Sequence, residues 1–201
     1  MDSALVSDKR FLAIKENTTQ KFVFREYNII VNLEEVIFPD GTVFRSKTLA
    51  NHLNDSKKCA IMAATLGHEV DRILKRLQYS DMAEALAADE FANRLIEEIC
   101  DSAEKEIIEE ARKQGLYTTT RYSPGYGDFS LENQSAILRL AGMREITVTE
   151  NNLLLPQKSV TAVIGYTTEK SPALLVSPAS CTLDKCSDCS SREKCIKNGK
   201  I

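Results

Sequence analysis

Between residues 81 and 113 apolar side chains return every third or fourth position: Ala85, Leu86, Phe91, Ala92, Leu95, Ile99, Ala103, Ile107, Ile108 and Ala111. That rhythm lays one stripe along one side of an α-helix and predicts a long amphipathic helix with the stripe buried. Asp81 suits its N-cap, and Gly115 suits its end. The opposite side carries Glu97, Glu98, Asp101, Glu104, Lys105, Glu109 and Glu110, which reads as a solvated charged face without chemistry of its own. Val70, Ile73, Leu74 and Leu77 predict a shorter helix over 69–77. Ser46 caps a helix over 47–53, and Ser130 caps one over about 131–140 that Gly142 closes.

Other segments follow a different rhythm. Residues 57–65, built on the apolar run that begins at Cys59, read as a buried strand ending at Gly67. Residues 160–166 hold the β-branched run Val-Thr-Ala-Val-Ile and also read as a strand. Shorter strand-like runs lie at 22–24, 29–31, 146–149 and 153–155, and Pro39-Asp40-Gly41 is a turn signal. Strands and helices do not alternate regularly. The pattern therefore predicts an α+β fold, with a mixed or antiparallel sheet packed against helices, one of them long. From about Pro178 the apolar periodicity stops, and a Cys-, Lys- and Ser-rich tail begins.

Composition narrows the function. The chain has 201 residues, 43 % hydrophobic and 27 % charged, with a formal net charge of −3. Those values fit a soluble globular protein. No stretch approaches the roughly 18–20 apolar residues of a membrane span. Residues 1–10 are too polar for a secretory signal, so a cytoplasmic location is expected. The chain has no basic block with which to neutralise phosphates, which argues against a nucleic-acid partner.

Chemistry concentrates in the loop Arg121-Tyr-Ser-Pro-Gly125-Tyr126-Gly-Asp128. Gly125 and Gly127 allow close approach of backbone to a ligand, and Pro124 stiffens the turn. Arg121 can grip a carboxylate through two parallel hydrogen bonds. Tyr122 and Tyr126 offer flat faces to an aromatic base or a sulfonium. The kit suits a zwitterionic ligand carrying an adenine ring; the bland alternative is an arginine paired with a local acid. His52 and His68 are the chain's two histidines, and neither sits beside a candidate nucleophile, so both read as structural or surface residues.

Three segments in register resemble the activation (reactivation) domain of cobalamin-dependent methionine synthase and its shorter stand-alone relatives. They are Ser46-Lys-Thr-Leu-Ala-Asn-His-Leu53 leading to Ala63-Ala-Thr-Leu-Gly-His-Glu-Val-Asp-Arg72, then Arg121–Asp128, then Leu155-Pro-Gln-Lys-Ser-Val-Thr-Ala-Val-Ile-Gly165. In that family an Arg-x-x-x-Gly-Tyr loop binds S-adenosylmethionine. The resemblance implies ligand contacts at Arg121, Gly125 and Tyr126, a backbone contribution from Ser123, and an acidic contact at Asp89 on the long helix. It implies a module that presents S-adenosylmethionine for reductive methylation of inactive cobalamin. No corrinoid-binding module fits in this length, so cobalamin must arrive on a partner, a methionine synthase subunit or another corrinoid protein, with an electron donor protein. The expected division is an N-terminal segment over 1–44 that matches the family poorly, a ligand-binding core over 45–177, and a tail over 178–201.

Six cysteines fall into two groups. Cys59 and Cys100 sit in apolar surroundings and read as small buried hydrophobes. Cys181, Cys186, Cys189 and Cys195 lie within fifteen residues and have the density of a zinc or iron–sulfur ligand set, the spacing leaving the two open. A rival function follows, a redox or metal-binding accessory protein acting through this tail. Metal analysis of anaerobically purified protein tests the expectation: a cluster gives brown protein with iron, a structural site gives colourless protein with zinc. Finding neither element removes both versions.

Overall fold

The structure, a computed structural model, describes residues 14–168; the four tail cysteines and the metal expected at them lie outside that range. In chain order its elements are β1 (Lys21–Asn28), β2 (Ile30–Val31), β3 (Glu35–Ile37), β4 (Val43–Arg45), α1 (Lys47–His52), β5 (Ser56–Thr65), α2 (His68–Ser80), α3 (Met82–Lys113), β6 (Tyr117–Thr118), a 3-10 turn (Leu131–Asn133), α4 (Gln134–Ala141), β7 (Thr147–Val148), β8 (Leu154–Leu155) and β9 (Ser159–Thr167). The α+β expectation holds. A four-stranded antiparallel sheet runs in the order β1-β5-β9-β6, with separate small sheets β2-β3-β4 and β7-β8. β1, from the expected N-terminal segment over 1–44, pairs with β5 along its whole length.

β5 lies in the middle of the molecule because both of its faces are apolar. Ala60, Met62 and Ala64 face one core, and Cys59, Ile61 and Ala63 face the other. Alternation across a pleat with no polar side is the signature of a strand covered on both faces. α2 and α3 cover the first face, with Ala88, Ala92, Ala103 and Ala111 among the α3 residues in that core. Asp81 caps α3 through bonds from the Ala83 and Glu84 amides at 3.0 and 3.1 Å. Leu86 departs from the expected stripe and is 67 % exposed, because it lies one helical step beyond buried Ala85.

The second face is covered by α1, α4 and the β2-β3-β4 sheet. Pro39-Asp40-Gly41 joins β3 to β4, with Gly41 at φ +85° and the Phe38 amide bonding the Thr42 carbonyl at 2.9 Å. Cys59 and Cys100 are fully buried, as their sequence surroundings predict, and burial pushes the Cys100 thiol up to about 12. Among the described residues no helix is long and apolar enough to cross a membrane.

Gly165 on β9 lies close against Ser56 at the start of β5 and Leu53 at the end of α1. A Cβ there would lie 2.3 Å from the Ser56 hydroxyl oxygen and 2.7 Å from Leu53 Cδ2. Gly165→Ala is therefore expected to destabilise the fold by about 1–3 kcal/mol through overpacking, read as a lower midpoint in urea unfolding.

Candidate functional site

The site begins with one extra residue at the sheet edge. Thr118 pairs with Tyr166, whereas Tyr122 pairs with Val163 through reciprocal amide–carbonyl bonds at 2.9 Å. Four steps on one strand thus span three on the other, which is a β-bulge. The Thr119 amide still bonds the Gly165 carbonyl at 2.8 Å, so the slack falls at Thr120 and Arg121. Without the bulge Arg121 and Val163 would share a face. With it, the Tyr122 ring packs on the α1–α4 side while Arg121 turns toward α3.

His52 holds the bulge from behind. Its Nε2–H donates to the Thr120 carbonyl at 2.9 Å, and its ring lies 4.9 Å from that of Tyr122. Burial lowers its pKa against the smaller opposing effect of that bond, so the ring is neutral and structural.

Arg121 is 15 % exposed and meets an acidic stripe on α3. Its Nη2–H donates to Glu97 at 2.9 Å, its Nε forms an ion pair with Glu104 at 2.9 Å, and Asp101 stands 3.8 Å from Nη2. This corrects the reading of that helix side as a plain solvated face, since part of it is turned to Arg121. Three carboxylates against one guanidinium leave the cluster at a formal −2. Burial opposes the charge on Arg121, yet Glu104 and the other neighbours outweigh it and hold its pKa above the ordinary value. Glu104 is pushed up by burial, with Arg121 only partly offsetting the effect.

From Ser123 to Phe129 the chain closes on itself. The Tyr126 amide bonds Ser123, the Phe129 amide bonds Tyr126, and the Gly125 amide bonds the Phe129 carbonyl at 2.7 Å. Gly125 sits at φ +97°, where a side chain is strained. Its amide is occupied within the loop rather than turned to a ligand. Gly127 is required for a different reason, because a Cβ there would lie 2.4 Å from the Thr48 hydroxyl. The loop then locks onto the start of α1. The Asp128 carboxylate accepts from the Ser46 hydroxyl at 2.5 Å, from the Lys47 and Thr48 amides at 2.9 and 3.0 Å, and from the Thr48 hydroxyl. These bonds, those of Ser46 first, hold its pKa well below the usual carboxylate range.

Between loop, β9 and α3 lies a cleft of about 790 Å³. Arg121, Ser123, Gly125 and Tyr126 all line it, so the structure gathers four of the five ligand residues expected from sequence. Asp89 does not line it. Its carboxylate pairs with Lys158 at 2.7 Å, and its position is roughly 12 Å up the helix axis from Glu97. Glu97, Glu104, Gln134 and Thr161 line the cleft and were not singled out by sequence. Acids at 97, 101 and 104 do carry a signal, an i, i+4, i+7 stripe, but that spacing does not reveal what the stripe faces. Among the described residues no group of His, Cys, Asp or Glu is arranged to hold a metal ion.

No protein-family model matches the chain, and no curated protein matches it. Its fold is similar to that in the crystal structure of the MetH reactivation domain bound to AdoHcy. The TM-score is 0.60 at 13 % sequence identity, over 96 % of this chain and 74 % of that one. At this identity the likeness is one of fold.

The Asp128 anchor generates a pH signature. Because its folded pKa is depressed, its contribution to stability is complete above the unfolded carboxylate value of about 4 and is lost as pH falls below it. Asp128→Asn is expected to melt below the parent at neutral pH, and the gap should close on acidification. Ser46→Ala, which removes the N-cap oxygen bonded to the Leu49 amide, should cost about 1 kcal/mol. Thermal unfolding of both variants across pH checks the pair.

Proposed function

We propose that this chain is an S-adenosylmethionine-binding module that supports reductive methylation of cobalamin held by a separate corrinoid protein, most simply a methionine synthase subunit. The observation that carries the reading is the cleft at the bulge, lined by Arg121, Ser123, Gly125 and Tyr126, on a fold similar to a domain solved with AdoHcy. Its volume falls within the roughly 300–1,000 Å³ of small-molecule sites. The acidic cluster also suits a ligand that brings positive charge.

Each residue takes a role in positioning. Arg121 supplies the planar fork for the ligand's carboxylate, and the loop at Ser123 and Gly125 forms the wall beside it. Tyr126, 61 % exposed, offers its ring to the adenosyl end. Glu97 and Glu104, rather than Asp89, are the acids next to the ligand. Bound there, S-adenosylmethionine supplies an electrophilic methyl group, while the corrinoid nucleophile and the electron come from partner proteins. The chain itself needs no general acid or base, because holding the reactants in line is its contribution.

Calorimetric titration with S-adenosylmethionine tests the site, and recovery of methylcobalamin tests the role. Arg121→Lys keeps a cation beside Glu104 but loses the fork; Arg121→Ala loses both and leaves Glu104 without its partner. A charge-assisted pair is worth about 1.5–3 kcal/mol, so affinity should fall roughly 10- to 150-fold. Arg121→Ala should also lower the melting temperature, since its guanidinium joins the loop to α3. With a corrinoid protein, a reductant and S-adenosylmethionine present, the protein should speed recovery of methylcobalamin. Unchanged affinity in Arg121→Ala, or recovery at the same rate without the protein, overturns the proposal.

A further inference from the structure

The guanidinium assigned to the ligand is already occupied. Nε–H and Nη2–H form one edge of the arginine fork, the edge that suits a single bidentate carboxylate. In the structure that edge is divided between two acids about two turns apart on α3, Glu104 beside Nε and Glu97 on Nη2, each at 2.9 Å. Glu97 accepts the Nη2 hydrogen and Glu104 sets its carboxylate against Nε, so the two acids together stand along the edge that one ligand carboxylate would engage. The two acids differ in freedom. Glu97 is 46 % exposed and can turn out to water, whereas Glu104 is 22 % exposed and packed beside the cleft.

From this geometry we infer that Glu97 and Glu104 are specificity-determining residues that occupy Arg121 as an internal substitute for the ligand's carboxylate. The inference rests on the reading of the cleft as an adenosyl-ligand site. A carboxylate-bearing ligand has to displace at least one acid before it engages the fork. An adenosyl compound without a carboxylate enters without disturbing the pair. The acids lower affinity for the first class relative to the second, and they keep Arg121 extended toward α3 when no ligand is present. The exchange replaces two single contacts by one paired contact, so it favours a planar carboxylate over a monatomic anion.

The test compares S-adenosylhomocysteine with 5′-methylthioadenosine, which shares the adenosyl thioether but lacks the amino-acid end. Both are titrated into the parent, Glu97→Gln and Glu104→Gln, with melting temperatures confirming that each variant is folded. Glutamine keeps the shape and removes the charge that holds the guanidinium. The affinity ratio of S-adenosylhomocysteine to 5′-methylthioadenosine should rise about tenfold in either variant, one charge-assisted bond's worth by the usual conversion. Binding of S-adenosylhomocysteine by the variants but not by the parent supports the inference more strongly. An unchanged ratio, with the parent binding both compounds, overturns the inference alone. A lower ratio also overturns it, since the acids would then be holding the ligand's ammonium. Binding of neither compound by any form overturns the reading of the cleft and this inference with it.

Discussion

One extra residue in the edge strand determines where the side chains of the site point. Between the Thr118–Tyr166 and Tyr122–Val163 pairs the strand gains a residue, and consecutive side chains that regular pairing would carry one way are sent the other. Arg121 turns toward the long helix, and Tyr122 turns to the opposite layer, where it lies 4.9 Å from the His52 ring. A bulge survives only where its freed backbone groups find partners. Here the Thr120 carbonyl accepts from His52, and the Thr119 amide and hydroxyl both meet the Gly165 peptide groups.

The loop that follows is held at both ends by opposite charges. Arg121 ties its start to the acids of α3, and Asp128 ties its end to the amides and hydroxyls at the start of α1. The anchors have different physics. Asp128 meets neutral donors at a helix start, where bonds and helix dipole both favour the anion. Arg121 meets more negative charge than it can neutralise, in a partly buried setting where the excess is felt. The first anchor is fixed; the second leaves charge facing the cleft. Rigidity at one end and unsatisfied charge at the other suit a loop that must present a site without collapsing into it.

What was legible in the sequence was local. α3 could be read because a 3.6-residue period persists through 32 residues, and Asp81, Ser46, Ser130 and Gly142 could be assigned because caps act within a turn of their own position. β3 and β4 have three residues each, too few for a period, and only the turn between them left a mark. β6 and the bulge depend on pairing with β9, far along the chain, which a local pattern does not carry. Of the residues the resemblance named, Arg121, Ser123, Gly125 and Tyr126 line one cleft, whereas Asp89 pairs with Lys158 outside it. Glu97 was hidden because an acid on a helix face has the same spacing whether it meets water or an arginine 24 residues away.

The charge balance of the cleft restricts its occupant further than shape does. A ligand offering only a carboxylate finds the Arg121 fork but also the net negative charge of Glu97, Asp101 and Glu104, so its attraction to one is offset by repulsion from the others. A ligand offering only a cation finds the acids, yet it leaves the bidentate geometry of the fork unused. On the proposed reading, a group with both charges a bond or two apart can engage the guanidinium while its cation offsets part, not all, of the cost of displacing an acid. An α-amino acid end has that arrangement. On the same reading, the exposed Tyr126 ring at the cleft meets the remainder of the molecule by flat apolar contact. On the proposed function, charge and surface act on opposite ends of one ligand.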